Sequence, residues 1–305
     1  MDGYASNVSP LIIRHLKTTY EARPARVIIG DLDVMSQAPL SMIAAGVGDI
    51  IGKYVCLADW QMAHMVNGEY ICQEIMKLVR QSIQKVADHA RAAIQRDKAA
   101  ISAIMEGLVL SGIAMSYIGN SRPASGSEHH MSHYWEMMFL LAETADPLHG
   151  TKVGVGTVSA LRLYEMLKES QASLEFLQAP HFEKEAWQKQ ILDAYGPAAC
   201  GVLKLEEEIG KNSDEKVSKR RKTFLEHQEE IWKIVDALPS SKDIQKLLES
   251  MNAPFSPAQL QVPKEVFQKG IYFAKDLRNR FGLLQILFDF GLQETFSQKL
   301  IDEFY

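Results

Sequence analysis

The sequence predicts a mainly α-helical fold on two observations: from Pro39 onward apolar residues recur with helical periodicity in long segments parted by short breaks, and β-type runs are confined to the first 37 residues. Within residues 1–37, two short apolar runs, 9–13 and 26–30, are expected as strands, separated by a helical 14–21. Together they read as a remnant of an α/β domain. Residues 38–305 are expected as one all-helical domain. Long periodic segments predict helices over 40–65, 69–91, 97–117, 128–143 and 152–169. Shorter ones follow at about 182–193, 197–210, 213–237, 241–250 and 264–281, with a short pair near 284–303. Pro254, Pro257 and Pro263 mark a connecting loop, and no internal repeat is visible.

At 305 residues and 47% hydrophobic, the chain can bury a large core. A net charge of -5 removes any whole-chain electrostatic reason to bind nucleic acid or an anionic membrane, so neither is expected as a partner. Cys56, Cys72 and Cys200 are odd in number and lack metal-type spacing, which suits reduced thiols in a cytoplasm. The start shows no signal-peptide pattern, and the uncharged run 107–121 is too short for a membrane span. The charge run from Lys211 to Lys222 is flanked by Asp214, Glu215, Glu226, Glu229 and Glu230, and reads as a solvated helix face.

The chemistry is concentrated in Ser125-Gly126-Ser127-Glu128-His129-His130-Met131-Ser132-His133 and Leu148-His149-Gly150, which hold four of the nine histidines, with Asp49 far upstream in Gly46-Val47-Gly48-Asp49. Imidazoles together with a carboxylate are the mixture a catalytic divalent metal needs. With Ser127 as N-cap, His129 and His133 project from one face of a helix, and His149 sits in the break before the next helix. His130 points roughly 100° away from His129. Such a histidine pair also fits a hydrogen-bonded pair with no ion, and Asp49 also fits an ion pair with Lys53 at i+4. Partial burial among apolar neighbours favours a cation at Asp49.

These motifs, with Met1-Asp2-Gly3-Tyr4-Ala5-Ser6 and His149-Gly150-Thr151-Lys152-Val153-Gly154-Val155-Gly156-Thr157, resemble the glycerol-1-phosphate dehydrogenase family. More broadly they resemble the iron- or zinc-dependent alcohol dehydrogenases and glycerol dehydrogenases. The match runs in order across roughly the first 165 residues, and Tyr272 to Phe281 resembles the family's late helix. The resemblance implies the helical metal-binding domain of the dehydroquinate synthase-like, iron-containing alcohol dehydrogenase fold. It implies Asp49, His129 and His149 as ligands of a divalent metal, zinc first, with nickel and iron as alternatives. It implies Asp2, Asp49 and His133 as substrate contacts, His133 in a catalytic role as well, and Ser6 beside the nicotinamide of NAD or NADP. The implied reaction is hydride transfer between sn-glycerol 1-phosphate and dihydroxyacetone phosphate, in a cytoplasmic homo-oligomer such as a homodimer.

The family's glycine-rich dinucleotide loop is not visible. Gly46-x-Gly48-x-x-x-Gly52 has the wrong spacing and carries Asp49, while Gly154-x-Gly156 is read as packing of close backbones. The chain is therefore expected to be a fragment, an alternative start or a degenerate paralogue. Lys53, Arg122 and Lys152 are candidate phosphate contacts by proximity to the motifs. The competing expectations are a silent metal-binding or regulatory paralogue that pairs with a full-length subunit, and a purely structural helical protein.

Overall fold

The computed structural model describes residues 8–13, 15–23 and 25–305, and within them the chain is mainly α-helical. The described residues begin with an antiparallel hairpin, β1 (Val8–Ile13) and β2 (Leu16–Glu21), in the register Ile13↔Leu16 to Val8↔Glu21. Its turn places His15 in the left-handed region at φ 66°. This corrects two expectations. The segment expected as helical, 14–21, supplies β2, where Thr18 and Tyr20 suit an extended chain. Residues 26–30, expected as a strand, are irregular, and Val27 and Ile29 are 75% and 87% exposed. No described strand pairs with them.

The helices follow as α1 (Leu32–Ser36), α2 (Leu40–Ile51), α3 (Lys53–Asn67), α4 (Gln73–Ile94) and α5 (Lys98–Ile118). Then come α6 (Ser127–Leu141), α7 (His149–Glu169), α8 (Lys184–Tyr195), α9 (Ala199–Ile209), α10 (Asp214–Glu226) and α11 (Gln228–Asp236). The series closes with α12 (Ser241–Ser250), α13 (Lys264–Phe273), α14 (Leu283–Asp289) and α15 (Gln293–Phe304). The expected helix 40–65 is two helices that meet at Gly52, where a side chain would collide with Val153 Cγ1 at 2.7 Å. The expected 213–237 is broken at His227, and 264–281 ends at Phe273 in a 3₁₀ turn, Ala274–Leu277.

Capping matches local sequence at several ends. Asp97 accepts from Ala100 N at 2.8 Å to open α5, and Ser240 accepts from Asp243 N at 3.1 Å to open α12. Gly68 and Gly119 close α3 and α5 at φ 69° and 79°. Two helical stretches, Leu40–Asn67 and Lys98–Ile118, are long and apolar enough to cross a bilayer by length and composition. Both instead give core side chains such as Ile50, Trp60, Ile101 and Leu108 to the interior of the helical body. α2 lies at the centre, packed against α7 on one side and the α4–α5 pair on the other, while α6 packs on α7 and α13. That arrangement brings Asp49, on α2, next to the starts of α6 and α7.

Candidate metal centre

Backbone contact between helices sets the site. A side chain at Gly48 would meet Gly150 O at 2.3 Å, and one at Gly150 would meet Ala45 O at 1.9 Å, so α2 and the start of α7 touch main chain to main chain. A side chain at Gly156 would strike Glu128 O at 2.6 Å, which fixes α6 as closely to α7. The reading of the Gly154-x-Gly156 run as close packing therefore agrees with the structure. These approaches place Asp49 and His149, a hundred residues apart in sequence, in one pocket with His129.

The start of α6 is held from a distance. Gly126 takes the N-cap position and Ser127, expected there, is the first helical residue. Ser127 N and Oγ donate to Asp59 Oδ2 at 2.8 and 2.7 Å, so a buried carboxylate on α3 satisfies the helix's free amide and faces its positive end. Asp59 Oδ1 also accepts from Tyr164 and from Leu283 N at 3.0 Å. Glu128 Oε1 accepts from Gly126 N at 3.0 Å and from His129 Nδ1 at 2.6 Å. With Nδ1–H donated to Glu128, His129 directs Nε2 at Asp49. It lies 3.5 Å from Asp49 Oδ1.

One donor atom from each of Asp49, His129 and His149 lies within 4.8 Å of the others. Donors on a common ion with bonds of roughly 2.1 Å stand no more than about 4.2 Å apart, a difference within the reach of small side-chain rotations. Asp49 Oδ1 accepts from Lys53 Nζ at 2.6 Å, while the buried Oδ2 has no hydrogen-bond partner. An orphaned carboxylate oxygen beside two imidazoles fits a cation. The i+4 ion pair and the metal-type cluster, alternatives in the sequence, thus both occur at Asp49. Burial acts to raise the Asp49 pKa, but Lys53, then His129 and His149, outweigh it and hold the carboxyl well below the usual range.

His133 completes a triangle of rings, with centroids 5.8 Å from His129 and 5.6 Å from His149. Burial, then Lys17, His149 and His129, push its pKa well down, so it is neutral at physiological pH. His149 is also lowered, by burial, with Glu136 opposing. Burial disfavours the charged form of His129 too, yet its hydrogen bonds to Asp49 and Glu128 win and raise it. His130 turns away from the cluster. Burial and then Arg280, Arg278 and Lys211 keep it neutral, and its Nε2 has no partner.

The candidate phosphate contacts separate. Lys53 is buried against Asp49, and Arg122 is committed to Phe281 O at 2.7 Å, Asp59 O at 3.0 Å and Glu69 at 3.0 Å, so neither faces outward to a ligand. Lys152 stays beside the site, ion-paired with Asp146 and 3.7 Å from Glu136. Sequence reasoning missed Lys17, whose Nζ binds Glu136 Oε2 at 2.5 Å, and missed the carboxylates Glu128, Glu136 and Asp59. Glu128 was legible as the acid adjoining His129; the others carry no sequence signal. Asp2 and Ser6 lie outside the described residues.

Comparison with known proteins places this pocket in context. The chain is 34% identical over 295 residues to a protein of Geobacillus thermodenitrificans named glycerol-1-phosphate dehydrogenase (NAD(P)+), an alignment covering 96% of this chain and 65% of that protein. A protein of the same name from Halalkalibacterium halodurans is 33% identical over 287 residues, 94% of this chain and 62% of the relative. The chain is homologous to these dehydrogenases over nearly its whole length. It spans 62–65% of the length of these relatives. A third relative, from Pyrococcus horikoshii and of the same name, matches at 36% identity over 180 residues, 59% of this chain. No protein-family model matches.

Proposed function

We propose that this chain serves metal-assisted hydride transfer between sn-glycerol 1-phosphate and dihydroxyacetone phosphate, with NAD or NADP as the hydride carrier. The observation that carries the reading is the convergence of Asp49, His129 and His149 in a chain whose homologues are named for that reaction. Asp49, His129 and His149 would hold the ion, with zinc favoured by a mixed nitrogen and oxygen donor set and nickel or iron as the alternatives. When bound, a divalent ion supplies Lewis acidity that lowers the energy of the substrate alkoxide.

The chain's own residues do the rest. Glu128 fixes the tautomer of His129 and Lys53 anchors Asp49, so both donors are set before substrate arrives. The neutral His133 accepts a hydrogen bond from a substrate hydroxyl and takes up or returns its proton. Lys152, ion-paired with Asp146 beside the histidines, is the candidate phosphate contact that stays at the site. Asp2 and Ser6 are proposed as substrate and nicotinamide contacts, and a cytoplasmic homo-oligomer is part of the same reading.

The test is oxidation of NADH or NADPH by dihydroxyacetone phosphate with the zinc-loaded chain. Any turnover should be removed by a chelator and restored by zinc; with no visible dinucleotide loop, NADH binding by this chain alone is expected to be undetectable or millimolar and its turnover negligible. A chain that binds one zinc tightly yet neither turns over nor binds dihydroxyacetone phosphate would overturn the dehydrogenase reading in favour of a metal-binding paralogue. Replacing His133 with alanine should weaken substrate binding and leave zinc content unchanged; equal zinc loss in His133→Ala and His129→Ala would remove His133 from the substrate role.

A further inference from the structure

His129 has its outward nitrogen fixed by Glu128, but His149 has no such partner. Its Nδ1 is buried, makes no hydrogen bond, and lies 3.8 Å from Glu136 Oε2. Glu136 stands on α6 one turn beyond His133, and its carboxylate is gripped from the far side by Lys17 of β2 and approached by Lys152 of α7 at 3.7 Å. Lys17 is itself buried, with its amide on Met137 Sδ at 3.3 Å and its carbonyl accepting from Arg278 Nη1 at 3.0 Å. One carboxylate thus meets a lysine of the hairpin, a lysine of α7 and a histidine of the candidate metal centre.

From this arrangement we infer that Glu136 is the positioning residue for His149: its carboxylate accepts the His149 Nδ1–H and turns Nε2 toward Asp49 and His129. The inference rests on the metal-centre reading above. Three observations support it. An orphaned buried imidazole nitrogen beside an anionic oxygen is relieved by about an ångström of closure, to the 2.7–2.9 Å of a charge-assisted bond. The neighbouring imidazole already has this arrangement, with Glu128 at 2.6 Å. Imidazoles that bind metal through one nitrogen need a second group to set tautomer and ring plane. Lys17 keeps the carboxylate in place, so the hairpin is fastened to the same oxygen that orients the ligand.

Cobalt(II) is the probe, because it shifts the exchangeable N–H protons of coordinated imidazoles far from the rest of the proton spectrum. In the unaltered chain two such resonances are expected, both slow to exchange with solvent, one held by Glu128 and one by Glu136. Glu136→Gln should lower cobalt and zinc affinity by roughly 10–100-fold and make the His149 resonance broaden or exchange rapidly, with the His129 resonance unmoved. Glu136→Asp, which keeps the charge, should recover part of the affinity. A His149 N–H that exchanges freely in the unaltered chain overturns the inference without any variant. So does Glu136→Gln with metal affinity within twofold and both resonances in place. If the unaltered chain takes up no cobalt or zinc, the metal-centre reading fails first and the inference falls with it.

Discussion

Two clusters of buried charge lie in this helical body, and they use their hydrogen-bonding capacity differently. In the first, Arg220 makes two bonds of 2.6 Å to Asp289, and Lys275 reaches both oxygens of Asp276 at 2.8 and 3.0 Å. Asn212 joins Asp276 at 3.0 Å, and Lys211 caps the carbonyls of Lys275 and Arg278. In the second, Asp49 Oδ2 and His149 Nδ1 are buried without partners and belong to one group of possible metal ligands; the first also leaves Glu206 Oε2 and Gln285 Oε1 unpaired, but forms no such group among the described residues. Burial of charge is common to both. What separates a candidate site from a structural network is leftover donor and acceptor capacity converging on one point.

The comparison can be broken most severely at the first cluster. Arg220→Ala leaves Asp289 buried without its partner and should cost about 3–5 kcal/mol in urea unfolding, while the zinc affinity of the folded protein stays as it was. A cost below about 1 kcal/mol would mean that the network does not hold the fold. At the second cluster the large effect should come from the ion. Free zinc at 100 times its dissociation constant should raise stability by about 2.7 kcal/mol, and His149→Ala should abolish that gain while leaving metal-free stability within about 1 kcal/mol. A variant that unfolds without metal would place His149 in the scaffold instead.

Smaller effects sharpen the contrast. Gly150→Ala forces α7 away from Ala45 and should cost about 1–3 kcal/mol, weakening zinc binding as well because Asp49 and His149 lose register. Burial acts to raise the Glu136 carboxyl, but His149, Lys17 and Lys152 bring it from 4.5 down to about 2. Its folded value lies below its unfolded one, so its stabilisation is present above about pH 4.5 and disappears as pH falls through about 2. Acid titration of metal-free protein should show that loss in the wild type and not in Glu136→Gln. Least of all, Lys222→Ala on the exposed face of α10 should change stability by under about 0.5 kcal/mol.

That last residue shows how sequence reading succeeds and stops. The run from Lys211 to Lys222 was expected as a solvated face, which describes Lys219 and Lys222 but not Lys211 and Arg220, both buried in the ion network. Charge patterning reports the average face of a helix; a bidentate partner some seventy residues away is invisible to it. The exchange of helix and strand near the N-terminus has a similar cause. Val27 to Ile29 look like a strand by composition yet have no described partner, whereas Leu16–Glu21 is paired along its length by β1. The candidate donors Asp49, His129 and His149 were legible because residue type and motif order persist in one dimension.

Sequence alone determined the helical class, the identity and order of the candidate donors, and the close packing at Gly154-x-Gly156. Periodicity and side-chain chemistry are local properties, so they can be read along the chain. Tertiary structure alone decided that Asp49 serves Lys53 with one oxygen and leaves the other open, that Asp59 caps α6 from α3, and that Lys17 and Glu136 stand beside His149. Each of these depends on distances between residues distant in sequence, set by main-chain contact at Gly48, Gly150 and Gly156. Hydrogen bonds weaken steeply beyond about 3.2 Å and at poor angles, so helix-to-helix distance determines which of the available groups act together.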